Sequence, residues 1–369
     1  MRSLQFGAYD NMLKNIVGSY MGYIQIHNTD YWEEKSIDNS FLVSEVEDIL
    51  DIPQVSYVDT RIEGFALASI KNKSKPVAML GLDPVSESNH LNLDKKIIEG
   101  AYLSEDQQGL LVGKELKEIL KVSVGDSLVF LSQGYQASFA SGIMPIVGVI
   151  DLKSPELNKR TVILNKTLAQ NFFGLENMAT TAVIGFKDDH WEKIEKLVKQ
   201  KTKGRDLRVI NWQQMVPELN QLIAVDKAGG TFVMLILYSI ITFGLLGTII
   251  MLTEERSFEY GVLISIGMAK KKLITVAYLE TTIMAMAGVI LGLIVAFPFA
   301  LYFNINPINI SGQMKEVVEN FGFEALIPTS LDPKIAVQQA TIVLILVLIV
   351  NIYPLLKIKN LEPVKAMKS

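Results

Sequence analysis

Residues 228–252 read AGGTFVMLILYSIITFGLLGTIIML, an apolar run of 25 residues without a single charged side chain. Two more runs without charge follow, the 23 residues 281–303 and the 22 residues 335–356. An α-helix needs about 20 apolar residues to cross roughly 30 Å of hydrocarbon, whereas a buried core helix more typically has about 10–14. The sequence therefore predicts three membrane-spanning helices, at about 228–252, 274–303 and 335–356.

The composition is that of a membrane protein with a sizeable folded domain. The chain has 369 residues, of which 49% are apolar and 20% charged, and its mean hydropathy is +0.29. The net charge of −4 argues against a nucleic-acid binder, which usually carries a basic surplus. The absence of cysteine excludes a disulfide scaffold, a zinc ribbon, an iron–sulfur site and a thiol nucleophile.

The distribution of basic residues predicts the orientation in the membrane. The segment 253–273 carries Arg256, Lys270, Lys271 and Lys272, and four lysines follow Leu356. The segment 304–334 carries two lysines against four acidic residues. Cytoplasmic loops hold the excess of lysine and arginine. We therefore expect 253–273 and the C-terminus in the cytoplasm, and 304–334 and the large segment 1–227 outside.

The outer segment shows a mixed pattern of strands and helices. Residues 23–27 alternate in polarity like a strand, and 109–112 lead into an amphipathic helix at 114–120. The predicted fold is an α+β extracytoplasmic domain of two lobes, the middle lobe at roughly 100–180, on an α-helical transmembrane bundle. The expected domains are a stalk helix and opening strand at 1–27, the outer domain at 28–227 and the membrane domain at 228–369.

No motif of catalysis or metal binding stands out in the outer segment. The stretch 109–115 superficially resembles a phosphate loop, but its spacing is wrong and Glu115 stands where Ser or Thr would bind magnesium. His27, His90 and His190 share no ligand spacing, and we expect them to be solvated or at strand edges. We therefore predict a chain that is not an enzyme and has no catalytic residue, metal site or bound cofactor.

The loop between the first two spans is the most informative segment. Residues 252–273 read LTEERSFEYGVLISIGMAKKKL. Val262, Leu263 and Ile266 fall on one face of a short helix that would end at Gly267. Such an apolar ridge is suited to docking into a groove on a partner. The alternative is a plain interfacial turn anchored by lysines.

A resemblance to a known family rests on this loop and on three other motifs. The pattern Glu-Arg-x-x-Glu-x-Gly-Val-Leu-x-x-x-Gly-Met-x-basic at 255–270, followed by the intramembrane Glu280, resembles the permease family of FtsX, MacB and LolC/LolE, membrane subunits of type VII ABC transporters. The tail 360–367 resembles the family's closing motif Leu-Asp-Pro-Val-Glu-Ala-Leu. Residues 22–27 and 125–128 resemble elements of its periplasmic core domain.

The resemblance implies a mechanism, partners and a site. In this family two permeases pair with two cytoplasmic ATPases, and ATP-driven closure moves the spans together with the outer domains. The implied partners are a cytoplasmic ABC ATPase subunit that holds ATP and Mg²⁺, a second permease copy or paralogue, a lipoprotein or other periplasmic partner, and the lipid bilayer of the bacterial inner membrane; no nucleic acid is implied. The implied ATPase-coupling loop comprises Glu255, Arg256, Glu259, Gly261, Val262, Leu263, Ile266, Gly267 and Lys270.

Three functions stay open. The first is a permease for lipoprotein release or trafficking, with 28–227 as a MacB-like periplasmic core domain and 228–369 as an FtsX-like permease domain. The second is a MacB-like efflux or mechanotransmission subunit that drives an outer partner. The third, of another class, is a membrane-anchored sensor or binding protein without an ATPase.

Two expectations concern the membrane helices. Gly288 and Gly292 stand four residues apart, a spacing that lets two helices approach closely. Glu280 is expected to play a structural part, either by snorkelling to the interface or by pairing with a basic residue of the loop.

Family members begin with a span that is not visible here, and the N-terminal residues do not form a signal peptide. Residues 3–20 resemble the outer stalk that continues such a span. We expect a first helix encoded upstream of Met1, a helical segment at 3–20 beside the span 228–252, and a gap in the bundle. Mass spectrometry of the native N-terminus tests this expectation, and an intact native chain that begins at Met1 with 28–227 outside would contradict it.

Overall fold

The computed structural model describes residues 1–104, 108–187, 191–312, 315 and 326–362. They form two compact units. The first comprises Met1–Tyr9, Gln221–Ile308 and the described residues from Ile327 onward. The second comprises Asp10–Asn220 and the described residues of 309–326.

The second unit is a mixed α/β domain, as predicted. It corresponds to the predicted outer domain, and we call it the outer unit. Among the described residues its strands are β1 (Ile24–Asn28), β2 (Phe41–Leu42), β3 (Val55–Ile70), β4 (Lys73–Leu82), β5 (Ile97–Gly100), β6 (Leu110–Gly113), β7 (Ser127–Gln133), β8 (Phe139–Ile150), β9 (Thr161–Asn165), β10 (Met178–Ala179), β11 (Thr181–Phe186) and β12 (Leu207–Asn211). Its helices are α2 (Tyr31–Glu34), α3 (Pro84–Leu91), α4 (Lys114–Leu120), α5 (Pro155–Asn158), α6 (Lys166–Phe173), α7 (Trp191–Lys201) and α8 (Trp212–Met215).

Six of these strands close into a ring. β3 pairs with β4, β4 with β9, β9 with β6, β6 with β8, β8 with β7, and β7 again with β3. Each strand of the ring therefore has a pairing partner on both sides, and closure leaves no free edge. The interior is filled by buried side chains such as Met79, Val112 and Phe130, as in other small barrels.

A second group of strands runs in the order β12, β1, β11 and β3. The amphipathic helix α7 contributes the buried residues Ile194 and Val198 to the same core as Ile24 and Ile26 of β1. The long strand β3 thus belongs both to this sheet and to the ring. Residues 10–220 form one compact unit, so the division into two lobes stays a prediction.

His27 corrects the expectation that the histidines are solvated or at strand edges. It lies on β1, which is hydrogen-bonded to a neighbour on each side, and its side chain is fully buried. Its Nδ1 lies 3.0 Å from the Thr180 carbonyl oxygen, and its ring stacks on Tyr31. Burial lowers the pKa of His27 to about 3, so the imidazole is neutral at pH 7.

The first unit is helical, and three of the described helices are long and apolar enough to cross a membrane, at Pro217–Glu255, Lys270–Ile305 and Pro333–Lys359. They contain the predicted spans and extend beyond them. Its helices are α9 (Pro217–Glu255), α10 (Ser257–Ser265), α11 (Lys270–Ile305), α12 (Pro333–Val350) and α13 (Ile352–Lys359). The short strands β13 (Ile308–Asn309) and β14 (Leu326–Ile327) pair with each other, and each has one residue in either unit.

The chain begins with the helix α1 (Arg2–Leu13), which continues as a π-helix at Lys14–Met21. The helical character predicted for 3–20 is therefore confirmed. Tyr9 Oη donates to Asp226 Oδ2 at 2.5 Å, and Gln5 Nε2 donates to the same atom at 2.9 Å. These bonds hold the start of α1 beside α9, just before the predicted span 228–252.

A buried ion pair joins α3 to β3. Asp83 caps α3 by accepting from the backbone nitrogens of Val85 and Ser86 at 3.0 Å each. The helix places the Glu87 carboxylate beside Arg61 of β3. The Arg61 Nε and Nη2 atoms donate to the two carboxylate oxygens at 2.5 and 2.7 Å. Both side chains are only 1% exposed, so each charge depends on the other.

Replacing Glu87 by Ala leaves the Arg61 guanidinium buried without its carboxylate. We expect the free energy of unfolding of the outer unit to fall by about 3–5 kcal/mol. Urea-dependent proteolysis of the full chain in detergent measures it. The matched control is Glu156→Ala, which removes an exposed pair with Arg160 at 3.7 Å and should cost less than about 1 kcal/mol. Equal losses of unfolding free energy in the two variants would show that the buried pair stabilises the unit no more than an exposed pair does.

Candidate functional site

The loop between the first two membrane-length helices contains a short helix, as predicted. α9 ends at Glu255, Arg256 makes the turn, and α10 occupies Ser257–Ser265. Gly267 follows with φ of +106°, a conformation that glycine adopts without a steric penalty. α11 then begins at Lys270. The predicted end of the short helix at Gly267 is confirmed.

One face of α10 packs against the ends of two long helices. Tyr260, Ile264 and the following Met268 contact a cluster formed by Leu273 and Ala277 of α11 and Ile358 of α13. Gly261 is buried on the same side. The packed face is therefore a fixed contact between the loop and the helices that flank it.

The other face of α10 is apolar and exposed. Ile266 is 80% exposed, Leu263 and Phe258 are also exposed, and Val262 is half-buried. Phe258 was not predicted as a site residue, although its spacing of four from Val262 and eight from Ile266 places it on the same helical face. Glu255 and Glu259 are exposed in the same segment, so acidic groups accompany the apolar surface.

The acid Glu280 of α11 pairs with the loop. Arg256 Nη1 donates to Glu280 Oε1 at 2.6 Å, and this carboxylate raises the pKa of Arg256 further above its usual range. Of the two interpretations left open for Glu280, the structure shows the pairing with a basic residue. The bond ties the turn before α10 to the body of α11.

The C-terminal segment is tied to the same loop. Lys270 Nζ donates to the backbone carbonyl oxygens of Lys359 at 3.1 Å and Leu361 at 2.8 Å. Lys357 Nζ donates to Glu254 Oε1 at 2.6 Å. Residues 363–367 of the closing motif lie outside the described residues. The described part shows that loop and tail form one structural group.

Gly288 and Gly292 do not make the expected close contact within the described chain. A Cβ built on either glycine meets no atom within 4 Å. Both line an apolar groove of about 540 Å³ between α9, α11 and α12, together with residues such as Leu245, Met284 and Val343. The two glycines thus face open space, and their role in helix packing stays a prediction.

The described residues contain no group of three His, Asp or Glu side chains that could hold a metal ion. His90 is instead held by Asp59, with Nδ1 2.7 Å from Oδ2, and stacks on Tyr57. His190 lies outside the described residues. The loop itself presents an exposed apolar surface on a short helix that is braced by the Arg256–Glu280 bond.

Comparison with known proteins identifies the segment that contains this loop. Residues 231–363 match the family model described as FtsX-like permease C-terminal. Two curated proteins, the lipoprotein-releasing system transmembrane proteins LolC of two Xylella fastidiosa strains, 9a5c and Temecula1, are each 20% identical to this chain over 326 residues. Each alignment covers 86% of this chain and 78% of the relative.

Three solved structures show a partial likeness to this chain. The periplasmic region of MacB from Actinobacillus actinomycetemcomitans is 13% identical, with a TM-score of 0.39, and the match covers 56% of this chain and 95% of that one. The extracellular domain of the ABC-type transporter YknZ from Gram-positive bacteria is 13% identical, with a TM-score of 0.36 and coverage of 51% and 99%. A domain of a Porphyromonas gingivalis permease protein is 14% identical, with a TM-score of 0.31 and coverage of 51% and 85%.

The match to the permease model includes the whole of α10 and both of its flanking turns. The LolC relatives extend the sequence likeness over most of the chain. Together with the three membrane-length helices, the permease domain at 231–363 and the likeness to LolC support an ABC transporter permease of the FtsX/MacB/LolC type.

Proposed function

We propose that this chain is a permease subunit that transmits cytoplasmic ATP hydrolysis to an extracytoplasmic domain, and that it works in lipoprotein release or trafficking. The observation that carries the proposal is the two-sided helix α10, packed on one face and exposed and apolar on the other. The lipoprotein cargo is supported by the relatives named as lipoprotein-releasing proteins.

The proposed path of force starts at the exposed face of α10. A cytoplasmic ABC ATPase subunit would dock there, and the ATP and Mg²⁺ would bind to that subunit. Displacement of α10 would pass to α11 through Tyr260 and Ile264 and through the Arg256–Glu280 bond. α9 is continuous over 39 residues, so a force applied at its C-terminal end would act on the whole helix.

The proposed topology follows the charge distribution of the loops. The subunit lies in the bacterial inner membrane, with the loop 253–273 and the C-terminus in the cytoplasm. Residues 228–369 are the FtsX-like permease domain, which the family match to 231–363 supports. Residues 1–27 are the stalk and opening strand, and 28–227 a MacB-like periplasmic core domain, supported by the motifs at 22–27 and 125–128. A second permease copy or paralogue completes the membrane part.

A second candidate is a MacB-like efflux or mechanotransmission subunit that drives an outer partner. The groove between the three long helices favours a mechanical role, because its described lining is almost entirely apolar. The acid Glu280 is engaged by Arg256 and does not line that groove. The chain itself is proposed to be non-catalytic in both cases. A membrane-anchored sensor without an ATPase would differ from both, because no ATPase would co-purify.

We expect Leu263→Asp to weaken ATPase docking by about tenfold or more, since a charge would replace an exposed apolar side chain at the centre of the proposed contact. Co-purification of the ATPase with the tagged permease from detergent measures docking, and ATPase stimulation measures coupling. The control is Leu50→Asp, the same kind of change at an exposed leucine of the outer unit. Normal assembly and function of Leu263→Asp would show that α10 is not the docking site.

The Arg256–Glu280 bond predicts a charge-exchange experiment. Arg256→Glu and Glu280→Arg should each lower permease-stimulated ATP hydrolysis by about tenfold, because each places like charges together. The double variant should recover most of the stimulation, since the pair is restored in reverse. A structural control is Lys199→Ala, which removes an exposed lysine paired with the buried Glu195 of the outer unit and should leave coupling unchanged. A double variant no better than the single ones would contradict the proposed bracing.

A further inference from the structure

The ring of strands in the outer unit is apolar on both sides. Inside it, alternate residues of β3, β7 and β8 such as Ala66, Leu128 and Phe130 are buried. Outside it, the intervening positions carry large apolar side chains that are 38–78% exposed. We call this outer surface the apolar face; it comprises Phe65, Leu67, Val129, Leu131, Phe139 and Ile143.

The strand register makes the apolar face contiguous. Leu67 of β3 lies directly opposite Leu131 of β7. Val129 of β7 lies opposite Ile143 of β8. Cross-strand partners of this kind lie about 4.5–5.5 Å apart, so their side chains form one surface.

The six side chains of the apolar face are uncharged, and so are most of the positions around them. The uncharged neighbours that point the same way on the four strands β4, β3, β7 and β8 are Ser69, Ser74, Pro76, Ala78, Ser127, Gln133, Ser141 and Pro145. The half-buried Glu63, two residues before Phe65 on β3, is a charged residue at the border of the face. The outward side of an antiparallel sheet that faces water is normally polar. An exposed apolar patch of several hundred Å² is typical of an interaction site.

We propose that the apolar face is the surface through which two copies of this chain pack against each other outside the membrane, sheet against sheet. In a two-fold contact the same patch is present on both partners, so residues near the axis meet their own copies. Any charge there would face a like charge. A central patch without charged side chains therefore suits self-association.

The size of the face fits this occupant. A standard protein interface buries about 800 Å² on each partner, and six large apolar side chains with their uncharged surroundings supply an area of that order. Packed sheets lie about 10 Å apart, with the side chains of the two faces interdigitating.

Confinement of both copies to one membrane favours this contact, since linkage raises the effective concentration of the two apolar faces. The inference rests on the proposed function, because it assumes that two permease chains pair in one membrane. It adds the surface through which they would meet.

Cysteine cross-linking in membranes tests the contact on the full chain. The natural sequence has no cysteine, so a single introduced thiol is the only one that reacts. Val129→Cys with a short bismaleimide should give a covalent homodimer. The matched control is Lys196→Cys at an exposed position of α7, outside the apolar face, which should stay monomeric.

A charge-complementation experiment identifies the partner. In the Val129→Cys background, Leu67→Asp with Leu131→Asp should lower the cross-linked fraction by about tenfold, because like charges oppose each other across the contact. Leu67→Lys with Leu131→Lys should do the same. Co-expression of the acidic and basic variants should restore a mixed dimer. Leu50→Asp, an equivalent change outside the face, should have no effect, and an unchanged trypsin pattern of each variant reports correct folding.

The outcomes separate the inference from the proposed function. If two differently tagged copies co-purify but Val129→Cys gives no homodimer, the apolar face is not the contact, while the pairing of permeases stands. If the tagged copies do not co-purify, both the pairing and the contact fail. A cross-link to a different protein, or failure of the mixed charges to restore the dimer, overturns the inference as well.

Discussion

The helix α10 depends on its neighbours for its position. It has nine residues, and isolated helices shorter than about 12 residues are marginal in water. Its packing through Tyr260 and Ile264 and the bond between Arg256 and Glu280 therefore decide where it lies. Because α10 is held on one face, its other face has a fixed orientation relative to α11. A partner bound to that face could therefore transmit a displacement to α11.

The same principle of shared contacts organises the outer unit. The 16-residue strand β3 belongs to both the closed ring and the sheet that contains β1, and the Arg61–Glu87 pair fastens α3 to it. Both sheet systems therefore share one element. The apolar face is built on the part of β3 that lies in the ring, so a contact made there would act on the strand that both parts share.

The sequence predicted the features that depend on local patterns. The three apolar helices, the short helix after Arg256, its end at Gly267 and the mixed α/β character of the outer unit all follow from periodicity, hydropathy and glycine. Features that depend on distant pairing were not predictable. The burial of His27 follows from the strands on either side of β1. The sequence left two interpretations of Glu280 open, because the residue that decides between them, Arg256, lies 24 positions away. Phe258 was missed because the ridge was defined from three residues only. The spacing of Gly288 and Gly292 does not show what faces them, so their packing role stays a prediction.

The central claim is that the exposed face of α10 lies against an ATPase. The direct measurement is photo-cross-linking in intact membranes from a benzophenone amino acid at Phe258, with the captured molecule identified by mass spectrometry. The proposed function predicts an adduct with a peptide of an ATP-binding-cassette ATPase, absent when the same amino acid replaces Phe65 of the outer unit. Adducts with lipid alone would contradict the claim and support a plain interfacial turn.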